Sequence, residues 1–288
     1  MQQTVAKFPS SGGQGNTVVQ HTPEDYRAFQ AFLEEASGIV LGPGKEYLVT
    51  SRLTRLIREY GFGALGEMIR ALQGGANPRL RNDVIDAMTT NETFWFRDPP
   101  HFRILTEEIL PAAKSGRMRI WSAACSSGQE PYSLSMAVQD FALRNPGRLA
   151  GGVEILGTDI AQSILNEARQ GVYCGMAAGR GLSDEQRQRY FSPEGDCLAV
   201  RNEIRQRVLF REFNLTRGFD ILGRFDVIFC RNVLIYFSSD MKREILGRMA
   251  RVLSPGGYLF LGSTESLTGH STEFEMHSAH GGIVYRKK

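Results

Sequence analysis

The chain has 288 residues and a mass of 32.1 kDa, which suits about two domains at roughly 150 residues each. Its 42% hydrophobic and 23% charged residues can fill an ordinary core, and 34 basic against 31 acidic side chains leave a formal charge of only +3. That is too little to point to nucleic acid, which asks for a concentrated basic face. Mean hydropathy is −0.25, and no apolar run approaches the roughly twenty residues of a membrane-spanning helix.

The opening MQQTVAKFPSSGGQGNT lacks the charged-then-apolar pattern of a secretory signal, and residues 1–21 read as a disordered lead. Order is expected from Thr22-Pro23-Glu24-Asp25, where a Thr cap, Pro at the first helical position and early acids start a helix. Residues 22–90 then read as helices alone. Tyr26, Phe29, Phe32 and Leu33 recur at helical spacing before Gly38. Val49, Leu53, Leu56, Ile57 and Tyr60 form a second apolar face stopped by Gly61. Leu65, Met68, Ile69 and Leu72 form a third, and Val84, Ile85 and Met88 a fourth after GGANP.

A stretch over 91–114 reads as a linker, and the pattern changes over 115–288. RMRIWSAA, VEILGTDI, VLFREFNL, FDVIFCRNVLIYF, YLFLGSTE and GGIVYRK each carry a strand. EPYSLSMAVQDFALR, AQSILNEARQG and SSDMKREILGRMARVL read as helices between them, and SPGG as a turn. Strands alternating with helices of about 10–15 residues give an α/β domain on a mostly parallel sheet. Residues 172–206 fit that alternation poorly and read as an insertion with small elements of its own. Cys125, Cys174, Cys197 and Cys230 show no paired spacing, so neither a disulfide framework nor a zinc site is expected, and the composition suits a reduced, cytoplasmic protein.

Open α/β sheets bind ligands beyond the carboxyl ends of their strands. The first such end, Ser122-Ala123-Ala124-Cys125-Ser126-Ser127-Gly128-Gln129-Glu130, offers small residues and helix-start N–H groups, and equally suits a tight turn. Only Gly128 is present in it, so a pyrophosphate cradle is poorly supported. Asp159 follows the second strand, where a carboxylate can accept from ribose hydroxyls or cap the helix after it. Asn214 follows the third and can present an amide to adenine or serve a turn. Arg231 ends the fourth, an apolar strand where an unpaired charge is costly, with Asp159 and Asp226 as candidate partners. Four loops without a phosphate grip suit a nucleoside with a zwitterionic tail, and S-adenosylmethionine (SAM) has that form.

MTTNETFWFRD, WSAACSSGQEPYSLSMA, FDVIFCRNVLIYF and SPGGYLFLG, in that order and after helices, resemble the chemoreceptor glutamate methyltransferases of bacterial chemotaxis, the CheR family. QEPYS together with CRNVLIYF carries the specificity, and the resemblance spans residues 24–286. It implies a small all-α domain followed by a class I (Rossmann-like) SAM-dependent methyltransferase domain with a small β insertion. It further implies cofactor contacts at Asn91, Thr93, Arg97, Glu130, Asp159, Asn214, Leu215, Arg231 and Asn232, with Arg97 and Tyr236 at the transfer site. The implied enzyme is a cytoplasmic monomer that esterifies receptor glutamates, releases S-adenosylhomocysteine (SAH) and uses no metal. Family members that dock on a receptor-tail pentapeptide carry a longer Gly-rich loop than RYFSPEGDCLAVRNE, so independence from that tether is expected.

A glutamate nucleophile, with an unperturbed pKa of about 4.3, is already ionised at neutral pH and needs no general base. This agrees with the absence of histidine from the strand-end loops. Arg52, Arg55 and Arg58 recur along one helix face and can pair with an acidic receptor helix or simply be solvated. His277 and His280 could form a helical metal pair, but with no third ligand they read as exposed polar residues. Other readings are a SAM methyltransferase for another substrate and a non-catalytic receptor adaptor. Against the first, Arg231-Asn232-Val233 replaces the Asn/Asp-Pro-Pro-aromatic segment of amino-group methyltransferases.

Overall fold

A computed structural model describes residues 21–113 and 116–288, so the lead read over 1–21 lies outside the described residues save for His21. Four helices come first: α1 (Pro23–Ser37), α2 (Glu46–Glu59), α3 (Leu65–Gln73) and α4 (Pro78–Met88). The start of α1 is a capping box, in which the Thr22 hydroxyl accepts from Asp25 N and the Asp25 carboxylate accepts from Thr22 N. Tyr26, Phe29, Leu33, Val49, Leu53, Leu56, Met68, Leu72, Leu80 and Val84 close on one another as a single buried cluster. Periodicity alone located all of these but Leu80.

Residues 91–114, read as a linker, contain helix α5 (Pro99–Ile104) and a π-helical turn over Leu105–Ile109. There follow β1 (Met118–Ala123), α6 (Gln129–Arg144), β2 (Val153–Asp159) and α7 (Gln162–Gln170). The insertion holds β3 (Val172–Cys174), α8 (Met176–Gly179), α9 (Asp184–Tyr190), β4 (Phe191–Glu194), β5 (Cys197–Val200) and α10 (Asn202–Arg205). The chain ends through β6 (Val208–Glu212), β7 (Phe225–Cys230), α11 (Ser239–Val252), β8 (Leu253–Leu261), β9 (Phe274–Ala279) and β10 (Gly282–Lys287).

The main sheet runs β6-β2-β1-β7-β8-β10-β9. Strands β6, β2, β1, β7 and β8 pair in parallel, while β10 is antiparallel to both of its neighbours. The chain leaves β1 toward β2 on one side and later fills β7 on the other. The crevice past β1 and β7 is therefore the sheet's switch point. Two buried clusters cover the sheet, one gathered around Trp121, Phe225 and Leu259 and the other around Phe102, Phe229 and Phe260.

Two expectations are corrected. SPGG lies inside β8 rather than forming a separate turn, and β9 had no clear strand pattern because most of its residues are exposed. Cys174 and Cys197 are disulfide-bonded. They are 23 residues apart in sequence, but the antiparallel register of β3 and β5 sets them opposite each other with Cα atoms at 4.3 Å. His277 lies on β9 and His280 in the turn after it, both exposed, as read from the sequence. His277 Nε2 and His280 Nε2 both meet Glu108, at 2.7 and 3.1 Å.

Candidate active site

The helical part and the sheet face each other across one seam. Gly38 ends α1 with φ +79°, and a Cβ there would stand 2.6 Å from the Phe237 ring, so only glycine allows this approach. Val40 N donates to Tyr236 O at 2.9 Å and Asn214 Nδ2 to Ala36 O at 2.9 Å. On the other flank, Asp86 of α4 accepts from Gln162 N (3.1 Å) and Ser163 N (2.9 Å), capping α7 from outside its own segment.

Between these contacts lies a pocket of about 980 Å³ counted out to its mouth. Residues after β1, β2, β6 and β7 line it together with the segment 88–93, Arg97 and the end of α1. Asn91, Thr93, Arg97, Glu130, Asp159, Asn214, Leu215, Arg231, Asn232 and Tyr236 all open onto this cavity. Asn91, Thr93 and Arg97 had no local signal in the sequence apart from the resemblance, because what brings them there is the packing of one region on another.

At the pocket's base Arg231 is almost fully buried, with 2% of its side chain exposed. The expected partners Asp159 and Asp226 are corrected: Arg231 bonds Asp98 at 2.6 Å and Glu130 at 2.7 Å. It also donates to Arg97 O at 2.6 Å, tying the segment that carries Arg97 to the end of β7. Asp226 instead accepts from Arg119 N. Burial alone would raise the Asp98 pKa, but the Arg231 bond and charge outweigh it and hold the carboxyl below its ordinary value. Glu130, in the first turn of α6, also accepts from Ser122 Oγ at 2.7 Å.

Of its two candidate roles, Asp159 takes the capping one. Its carboxylate accepts from Ser126 N (2.8 Å) and Ala161 N (3.0 Å), shaping the loop and the start of α7, while the residue still lines the cavity. Burial raises its pKa and the backbone N–H groups of Ala161, Ser126 and Ile160 oppose that rise. Asn214 takes the turn alternative: its Oδ1 accepts from Thr216 N and Oγ1, and its Nδ2 donates to Ala36 O across the seam. Asn232, in the left-handed region at φ 57°, keeps a buried Oδ1 with no protein partner among the described residues.

Arg97 donates to Glu92 O at 3.3 Å and lies 5.5 Å from the centre of the Phe94 ring. No histidine lines the cavity, and burial pushes the Cys125 and Cys230 thiols up, which disfavours the thiolate form a nucleophile would need. Among the described residues no group of His, Cys, Asp and Glu is placed to hold a metal ion.

On α2 the arginine row divides. Arg52 is corrected as a free surface cation: it donates to Met88 O (2.7 Å), Thr89 O (3.0 Å) and Thr90 Oγ1 (3.0 Å), holding the segment that borders the pocket. Arg55 is exposed, 3.7 Å from Glu59 on the same helix, and Arg58 is exposed as well.

Residues 24–89 match the all-α domain of the CheR methyltransferases, and residues 91–283 match their SAM-binding domain. The chain belongs to the CheR methyltransferase family. It is 51% identical over 272 residues to chemotaxis protein methyltransferase 1 of Pseudomonas aeruginosa, covering 92% of this chain and 98% of that one. Against chemotaxis protein methyltransferase Cher2 of Pseudomonas putida it is 48% identical over 269 residues, with the same coverage. The Escherichia coli chemotaxis protein methyltransferase is 34% identical over 256 residues, or 87% of each chain. This CheR-family chain is thus a SAM-dependent methyltransferase. The pocket's residues fit that cofactor: small residues after β1, carboxylates at two strand ends, and an orphaned amide oxygen on Asn232.

Proposed function

We propose that this enzyme transfers the SAM methyl group to glutamate carboxylates on the cytoplasmic helices of chemoreceptors, giving methyl esters and SAH. The observation that carries this reading is the single cavity in which the strand-end residues meet Arg97 and Tyr236 with no histidine. An ionised carboxylate needs orientation and exclusion of water, not a base. When bound, SAM supplies an electrophilic methyl group on a sulfonium. Glu130, Asp159, Asn232 and the backbone around Asn214 and Leu215 hold the cofactor, and Asn91 and Thr93 close it from the linker side. Arg97 orients the cofactor or acceptor, its guanidinium lying over Phe94. Tyr236, whose hydroxyl has no protein partner among the described residues, orients the acceptor or packs on the methyl.

Arg55 and Arg58 on the exposed face of α2 pair with acids of the receptor helix, while Arg52 keeps α2 in register with the pocket. The β4–β5 hairpin turns through only Gly195 and Asp196, which supports independence from a receptor-tail pentapeptide. Micromolar binding of such a peptide in calorimetry would overturn that part. The enzyme acts in the cytoplasm as a monomer, without metal, nucleic acid or membrane insertion; no described helix is long and apolar enough to cross a membrane. The Cys174–Cys197 bridge runs against a reducing compartment, where such pairs are usually thiols.

The test is transfer of radiolabelled methyl to receptor cytoplasmic fragments. Label released as methanol in mild base identifies an ester. A base-stable product, or no transfer with SAM bound, would replace this reading with another substrate or an adaptor.

A further inference from the structure

The backbone that follows β7 is held from a distance. Asn232 takes up a left-handed conformation that non-glycine residues seldom adopt, and a single 3-10 turn over Leu234–Tyr236 then presents Tyr236 to the cavity. Neither feature is fixed by a regular helix or strand. The carboxylate of Glu265, in the loop after β8, meets both. Its Oε2 accepts from Asn232 N at 2.7 Å and from Gly262 N at 2.8 Å, and its Oε1 faces Ile235 N at 3.3 Å. Glu265 N in turn donates to Gly262 O at 2.8 Å, which curls the loop back toward the sheet. A Cβ on Gly262 would lie 2.6 Å from Asn232 Nδ2 and 2.8 Å from Glu265 Oε2, so the fit leaves no room for a side chain there.

We propose that Glu265 is a positioning residue of the methyl-transfer site, setting Asn232 and the Tyr236 turn through these backbone bonds. Glu265 forms no ion pair among the described residues, so its charge is met by oriented N–H groups. Such charge-assisted bonds are about twice as strong as neutral ones. Both ends of the proposed machinery depend on it, Asn232 toward the cofactor and Tyr236 toward the transferring methyl. The proposal rests on the roles given to those two residues above.

The test uses the full chain with a receptor cytoplasmic fragment, and SAH as the binding probe. In Glu265→Gln one oxygen can still accept, but an NH2 group is turned toward a backbone N–H. Turnover at saturating SAM is expected to fall about tenfold or more. SAH binding should weaken several-fold in calorimetry, with the KM for the receptor fragment unchanged. Because both residues serve one turn, Glu265→Gln combined with Tyr236→Phe should lose much less than the product of the single losses. If Glu265→Gln does not fold, Glu265→Asp keeps the charge but is too short to reach both sides, and is scored the same way. Parental turnover and SAH affinity, losses that simply multiply, or a loss explained by the unfolded fraction would each overturn the proposal. If the parent protein methylates no receptor fragment, the functional reading fails separately, and SAH affinity alone then decides for or against Glu265.

Discussion

Arg231 and Arg55 carry the same guanidinium into opposite surroundings. Arg231 is 2% exposed and bridges Asp98 and Glu130, whereas Arg55 is 81% exposed beside Glu59 on its own helix. The first holds the pocket's base together, since each of its partners would be costly without it. The second contributes almost nothing to the fold, because water and salt screen the pair, and it remains available to an acidic partner. The guanidinium at the pocket's base is spent on the fold, while the one on the helical surface is left largely in water.

The sharpest way to break that contrast is Arg231→Met, which leaves Asp98 and Glu130 without their cation. The expected loss is about 3–5 kcal/mol in urea denaturation, toward the lower end because a quarter of Asp98 remains in water. A loss below about 1 kcal/mol would make the buried network no more important than the surface pair.

A second test reads the same network through pH. His101 is buried, and burial together with Arg231 lowers its pKa from 6.5 to about 4. Between those values the unfolded chain binds a proton that the folded protein excludes, so stability falls as pH drops from 6.5 toward 4. His101→Phe, which keeps a ring against Phe260, should flatten that slope by up to about 3 kcal/mol across the window. An unchanged slope in thermal melts from pH 7 to about 4 would show that His101 is not held neutral.

Asp86→Ala probes the seam between the two regions. Loss of the cap on α7 is expected to cost about 1 kcal/mol, partly offset because Asp86 also raises the pKa of neighbouring Asp159. The smallest stability effect belongs to Arg55→Glu, within about 0.5 kcal/mol. It should nevertheless weaken methylation of receptor fragments, most at low salt, with SAH binding unchanged. Salt-independent loss would remove Arg55 from the recognition surface.

Periodicity was enough for the helical region, because burying a helix face leaves a repeat that any reader can count. Thr22, Gly38 and Gly61 mark helix boundaries through local chemistry, and the strand-to-helix alternation revealed the parallel sheet. Glu130, Asp159, Asn214 and Arg231 were legible as strand-end residues, since ligands of such sheets gather there. Their partners were not. Arg231 bonds Asp98, more than 130 residues earlier, Asn214 bonds Ala36, and Arg52 reaches from α2 to Met88 and Thr89. Sequence spacing holds no trace of such pairs, because hydrogen bonds depend on distances that the packing of whole elements sets. The Cys174–Cys197 pairing and the position of Glu265 follow the same rule: one depends on strand register, the other on how a loop after β8 folds over the end of β7. The chain by itself therefore determined the four leading helices, the main parallel strands with their helices, the family and the edge of the sheet where the pocket lies. Which charges neutralise one another, which arginine faces the solvent and which backbone groups Glu265 meets were decided only when helices, sheet and loops packed together, because those contacts join residues far apart in the chain.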